Sequence, residues 1–212
     1  MKKVFFVALL GFAPIFAATP CANMTVQAPW AGDMDVPANS TCTVQSGVTV
    51  TGNVTVEGEL ITFGGHFTGN VVVTGTLYAV PSLNNGQYTS PGTIIDGDLT
   101  IGSNGWLHFT GLPGNMVNQV KGNVTATNSG GPYFYLTDTT VGKNVIVSGA
   151  TSDIVVADMQ LANNGIFTAN QGAIKLYYNT FGLNLNGSDN AQAPTGSNNI
   201  AKHKNGQFSN LP

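Results

Sequence analysis

A turn pair, Gly followed by Asn or Asp, recurs along this chain, and each copy leads into an alternation of β-branched or aliphatic residues. The clear copies are Gly52-Asn53-Val54, Gly69-Asn70-Val71, Gly97-Asp98-Leu99 and Gly122-Asn123-Val124. Looser copies place Val145 (in TVGKNVIVSG), Ile166 (in ANNGIFT) and Leu185 (in TFGLNLNGS) at the equivalent position. The steps between these anchors are 17, 28, 25, 21, 21 and 19 residues, scattered around the length of one coil of a three-faced solenoid. A repeat of this period constrains the fold more than any local propensity does. Gly supplies positive φ in the turn, and Asn or Asp tolerates it better than other side chains. The strand-like runs VTV, VVV, LTI, VIV and IVVA are short for a sandwich, and the motif comes once per coil, not once per hairpin. The expected fold is all-β: a single right-handed parallel β-helix in which Val54, Val71, Leu99, Val124, Val145, Ile166 and Leu185 stack as one interior column. A sandwich or barrel of about seven to ten strands is the alternative.

The two long steps contain VPSLNNGQYTSPG and TGLPGNMVNQ, which read as loops leaving the coil. The ends depart from the repeat as caps would. This divides the chain into a signal peptide (1–18), an N-terminal cap (19–43), a β-solenoid (44–190) and a C-terminal cap or tail (191–212). Trp30 is the expected plug of the first coil. The only two cysteines, Cys21 and Cys42, are expected to form a disulfide that ties this cap down.

Lys2 and Lys3, the apolar run Val4 to Phe16 and the small Ala17 and Ala18 have the three regions of a secretory signal. The run is too short to span a bilayer, which takes about 20 apolar residues. All seven basic residues are lysines; loss of Lys2 and Lys3 leaves five against ten acidic residues, a net charge near −5. A chain without Arg and of this sign lacks the footprint of a nucleic-acid binder or of a polybasic lipid anchor. The expected location is extracellular or at the cell surface, with the periplasm as a second option, and no transmembrane segment in the mature chain.

The early Cys, VPANSTCTV, the V-T-G-N-V units and the tail PTGSNNIAKHKNGQF resemble a family of secreted bacterial repeat proteins, at the level of pattern from Cys21 to Phe208. More distantly the unit is similar to bactofilins, polymer-forming solenoids, from which the signal peptide and Cys pair set it apart. The resemblance implies a secreted β-solenoid and no catalytic residues. Phe208 stands where the family often carries a Cys, which implies that a tail disulfide is absent here.

Candidate chemistry is sparse. Asp96 and Asp98, or Glu57 and Glu59, have the i, i+2 spacing that puts two carboxylates on one face of a strand, as glycoside hydrolysis requires, and solvated strand edges show the same spacing. His66 in FGGHFTG and His108 in GWLHFTG share a context that reads either as a metal or catalytic pair or as a repeated structural position. Asp33 and Asp35 fall short of the ligand count of a calcium loop. Thr49-Val50-Thr51 has the form of an ice-binding rank but does not recur at a fixed coil position. Trp106, Tyr133, Phe134 and Tyr135, beside the inserted loops, form a candidate ligand face suited to sugar stacking. The sequence therefore points to a secreted structural or surface-associated solenoid that self-associates, with no catalytic residue, metal or cofactor expected. A glycan- or ice-binding module, with surface polysaccharide as partner, is the alternative, and a carbohydrate-active β-helix enzyme is the third reading.

Overall fold

The computed structural model describes residues 17–81, 83–84, 87–88, 91–112 and 117–212. The signal peptide expected over 1–18 lies almost wholly outside them, as do parts of both insertions. Among the described residues there is no helix. Three parallel sheets of 10, 9 and 8 strands, here sheets I, II and III, wrap one core in a solenoid of about eight turns. One coil reads Val145–Ser148 in sheet I, Asp153–Ala157 in sheet II and Gln160–Leu161 in sheet III.

Because side chains alternate across a strand and successive coils pair in register, each inward position becomes a column. Sheet I stacks Met34, Val54, Val71, Leu99, Val124, Val145, Gly165 and Leu185. The expected column holds except at one place. Ile166 pairs with Ile146 and faces outward, and Gly165 takes the inward position. Phe181 explains this: a Cβ on Gly165 would lie 2.5 Å from its ring, so the phenyl fills the volume that the glycine leaves. With Gly165 as anchor, the last two complete coils are 20 residues each.

Sheet II stacks Cys42, Leu60, Leu77, Leu107, Phe134, Ile154 and Ile174 inward. Sheet III stacks Trp30, Val50, Phe67, Ile95, Val120, Val141, Leu161 and Phe181. These columns form one continuous core.

The recurring Asn is more than a turn former. At the turn from sheet III into sheet I, the backbone N–H of each Asn or Asp donates to the side-chain Oδ1 of its counterpart one coil earlier. This ladder joins Asp33, Asn53, Asn70, Asp98, Asn123, Asn144, Asn164 and Asn184 at 2.7–3.2 Å. It satisfies turn N–H groups that the strand ladders miss.

The other two corners bend through positive φ. Asn128, Gly149, Ala169 and Asp189 turn sheet I into sheet II; Asp138, Asp158, Tyr178 and Asn198 turn sheet II into sheet III. Each bend throws the next residue inward, and in the last coils that residue is a buried Asn. Asn170 and Asn190 continue to Gln207 at the first corner, and Asn179 pairs with Asn199 at the second, side chain to side chain at 2.7–2.9 Å. Their amides also donate to the carbonyls of Val147, Phe167, Val156 and Leu176.

At the N-terminal end, Cys21 and Cys42 form the expected disulfide. Residues 19–43 are built into the stack: Thr19–Pro20, Met24–Val26 and Trp30–Ala31 are the terminal strands of sheets I, II and III. Trp30 is half-buried against the core above Val50, as a plug would be. At the other end, Thr195–Ser197 and His203–Gly206 add the last strands of sheets II and I. Phe208 then turns in to lie edge-on to Phe167 at 5.6 Å, over Gly187, where any side chain would collide with its ring. Phe208 is thus an aromatic plug at this end of the stack.

Candidate functional site

The two long coils depart from the stack at the same corner. One excursion follows Thr76–Ala79 and precedes Ile94–Ile95; the other follows Trp106–Thr110 and precedes Asn118–Val120. Within the first, Leu83–Asn84 and Gln87–Tyr88 pair as an antiparallel hairpin. The strands just before these excursions, together with Tyr133–Thr137 in the next coil, carry an aromatic cluster on the outer face of sheet II.

Tyr78, His108 and Tyr135 share one outward column in three successive coils. Trp106 and Tyr133 lie two residues earlier on the strands of His108 and Tyr135, on the same face. His108 sits in the middle, with ring centroids 5.6 Å from Tyr78, 5.9 Å from Tyr133 and 5.5 Å from Tyr135. Tyr133 and Tyr135 stack at 4.7 Å, and Trp106 is 6.4 Å from Tyr133. These offset and edge-on arrangements are the ones that ring quadrupoles favour.

Trp106 is seated by the backbone of the next coil. A Cβ on Gly131 would fall 1.8 Å from Trp106 Cδ1, so the indole rests where only glycine leaves room. Burial lowers the His108 pKa below its ordinary value, leaving the ring neutral near pH 7. The Tyr133 hydroxyl and burial both raise the Tyr78 phenol above its usual range.

Three of the four residues expected on this face, Trp106, Tyr133 and Tyr135, are brought together there. Phe134 is not: it is 1% exposed and belongs to the interior column of sheet II, because neighbours on a strand point to opposite faces. Tyr78 is the member missed from sequence, and His108 is read there only in relation to His66, not as part of this face. Their signal was the register between coils, which the first insertion conceals.

The other candidates disperse. His66 faces out from sheet III and His108 from sheet II, so their common Phe-Thr-Gly context does not make a pair. His66 Nε2 lies 2.9 Å from Asp96 Oδ2, and Lys121 Nζ lies 2.7 Å from Asp96 Oδ1. Lys121 and then His66 hold the Asp96 carboxyl below its usual range. Asp98 is a rung of the amide ladder, so Asp96 and Asp98 are each engaged in separate contacts. Glu59 accepts from the Thr41 hydroxyl at 3.1 Å. Asp33 is the first rung of the ladder, and Asp35 faces out from sheet I. Among the described residues no group of three or more His, Cys, Asp or Glu side chains is placed to hold a metal ion.

Thr49 shares its outward rank with His66, Ile94, Gln119, Thr140, Gln160 and Thr180, so no threonine rank extends from it. A groove of about 440 Å³ lies on sheet III, lined by Thr140, Val141, Gly142, Gln160, Leu161, Ala162 and Thr180, without a titratable group. Among the described residues there is no helix long and apolar enough to cross a membrane. Comparison with known proteins gives no matching family model, no matching curated protein and no matching solved structure.

Proposed function

We propose that this chain is a secreted, surface-associated structural protein: a rigid rod of the cell envelope or extracellular matrix that works through its side faces and not through catalysis. The observation that carries this reading is the continuous core together with the amide ladder that runs from Asp33 to Asn184. Such a stack is stiff because each coil is held to its neighbours by backbone and side-chain bonds together. The disulfide supports an oxidising compartment. The charged candidates Asp96 and Asp98 are engaged in an ion cluster and in the ladder, which favours a structural role for them.

Association with further copies runs, in this reading, through sheet I. Its outward column Thr55, Val72, Thr100, Thr125, Ile146, Ile166 and Asn186 is uncharged over seven coils. The ends are less suited to growth. Their terminal strands are two to four residues long, Pro20 lies in one, Pro194 precedes another, and Lys202 precedes the last while Lys204 lies within it. Short strands, proline and lysine are the usual devices against edge pairing. Sedimentation velocity and electron microscopy of the chain from Thr19 onward test this. Side-by-side assemblies that Ile146→Lys disperses are expected; a monomer at every concentration removes the assembly from the proposal.

A further inference from the structure

From the outer face of sheet II we infer a binding site for an uncharged polysaccharide, formed by Tyr78, Trp106, Tyr133 and Tyr135 around His108. This inference is independent of the rod reading, since it concerns a different face and a different partner.

Three observations carry it. The first is preorganisation: Trp106 is seated on Gly131, and Tyr133 and Tyr135 are stacked on each other, so the rings are already held before a ligand arrives. Binding then costs little side-chain entropy. Nothing in the core requires this arrangement, because all five side chains project outward from the sheet and are half-buried only by one another and their surroundings.

The second is charge. The cluster contains no formal charge when His108 is neutral, and the nearest ion pair beside it, Asp153 with Lys175 at 3.1 Å, is internally compensated. Glu59 lies one coil before Tyr78 and is bonded to Thr41. An acidic polymer finds no cation here that is free of a carboxylate and meets the negative charge of Glu59 beside Tyr78, while the rings themselves carry no anion for a cationic one. Pyranose rings suit what is present: their C–H faces pack on the negative faces of aromatic rings, and their hydroxyls can bond the phenols.

The third is size. The aromatic column is bounded by Ile61 on one side and Val155 on the other, so it covers three coils. With strands about 4.8 Å apart, the rings extend over roughly 10–15 Å, the length of two or three sugar units. A stable protein interface needs about 800 Å² on each partner, more than this strip provides, which selects a thin chain over a second copy of the protein.

Affinity electrophoresis in gels containing hydroxyethyl cellulose, laminarin, dextran or polygalacturonate tests the inference. At least one of the neutral polymers is expected to retard the protein more than polygalacturonate does. Trp106→Ala and Tyr135→Ala are each expected to weaken that binding by about 10-fold or more, the scale of losing one stacking ring. Trp106→Phe retains part of it. Gly131→Ala, which keeps every ring but displaces the indole, weakens it as well, with unchanged circular dichroism serving as the folding control. Absence of retardation by all neutral polymers overturns the proposal. So does stronger retardation by polygalacturonate, wild-type binding in folded Trp106→Ala and Tyr135→Ala, or a concentration-dependent dimer that Tyr135→Ala abolishes.

Discussion

The coils from Val145 onward and the coils before Val124 solve the same packing problem differently. The later ones advance by 20, 20 and 19 residues, through Gly165, Leu185 and Lys204. From the Gly165 coil on, buried asparagines fill both bent corners and bond backbone across coils. The earlier ones advance by 20, 17, 28 and 25 residues. In place of a run of corner asparagines, they use a disulfide, a hydroxyl contact between Thr62 and Thr93, and one corner amide, Asn118, which accepts from the Thr93 N–H at 2.7 Å. Regularity lets one side chain type satisfy the same orphan N–H in coil after coil. Insertions break that economy but leave room for features such as the aromatic strip, which lies where the two regimes meet.

The contrast can be broken first at the C-terminal plug. Phe208→Ala is expected to cost about 3–5 kcal/mol, as for other buried aromatics, and to release the last coils in hydrogen exchange while the N-terminal coils stay protected. Next comes Asn179→Ala, which strands the Met159 N–H and removes the amide bond to the Val156 carbonyl. Its cost, about 3 kcal/mol by urea unfolding, should exceed that of Asn144→Ala, about 1 kcal/mol, because Asn144 lies on the half-exposed ladder. A cost for Asn179→Ala no larger than for Asn144→Ala would remove the distinction between buried and exposed amides. In the early coils, Cys21→Ser with Cys42→Ser should lose about 3 kcal/mol, with the added exchange confined to residues near the first coils.

The smallest effects are in pH dependence, and they have opposite signs at two aspartates, one in the coil that joins the two regions and one in the inserted region. Asp138, at a bent corner, is raised by burial and by the nearby Asp158. Its folded state holds the proton more tightly, so the stability it contributes is present below the ordinary carboxylate range and lost as pH rises through the raised value. Asp138→Asn should therefore melt slightly above the parent at pH 7 and converge with it in acid; Asn tolerates the positive φ. Asp96, in the inserted region, is depressed by Lys121 and His66. Its contribution is present above the ordinary carboxylate range and lost as pH falls through the depressed value, so Asp96→Asn should melt slightly lower at pH 7, with the gap closing in acid. Thermal melts across that range check both signs.

Much of this was legible because a solenoid writes its period into the chain. The Gly-Asn pair marked the turn, and Val54, Val71, Leu99, Val124, Val145 and Leu185 were correctly aligned from it alone. Ile166 is the nearest aliphatic to the turn, but the alignment is set by Asn164 in the ladder, which puts Gly165 inward where Phe181 fills the space. The buried asparagines left a readable trace, Asn170 to Asn190 and Asn179 to Asn199, each 20 apart. In a chain rich in Asn, that trace does not distinguish a buried rung from a surface turn.

By itself the sequence determined the solenoid period, the disulfide partners and the inward column of sheet I except at Gly165, since these follow from local turn chemistry and two-residue alternation repeated at a near-constant interval. Only the tertiary structure decided which outward residues meet. Tyr78 reaches His108 across 30 positions and an insertion, His66 and His108 fall on different sheets, and Phe134 turns away from Tyr133 and Tyr135. Contacts between coils depend on the summed length of everything in between, and a single loop resets that register without altering any local pattern.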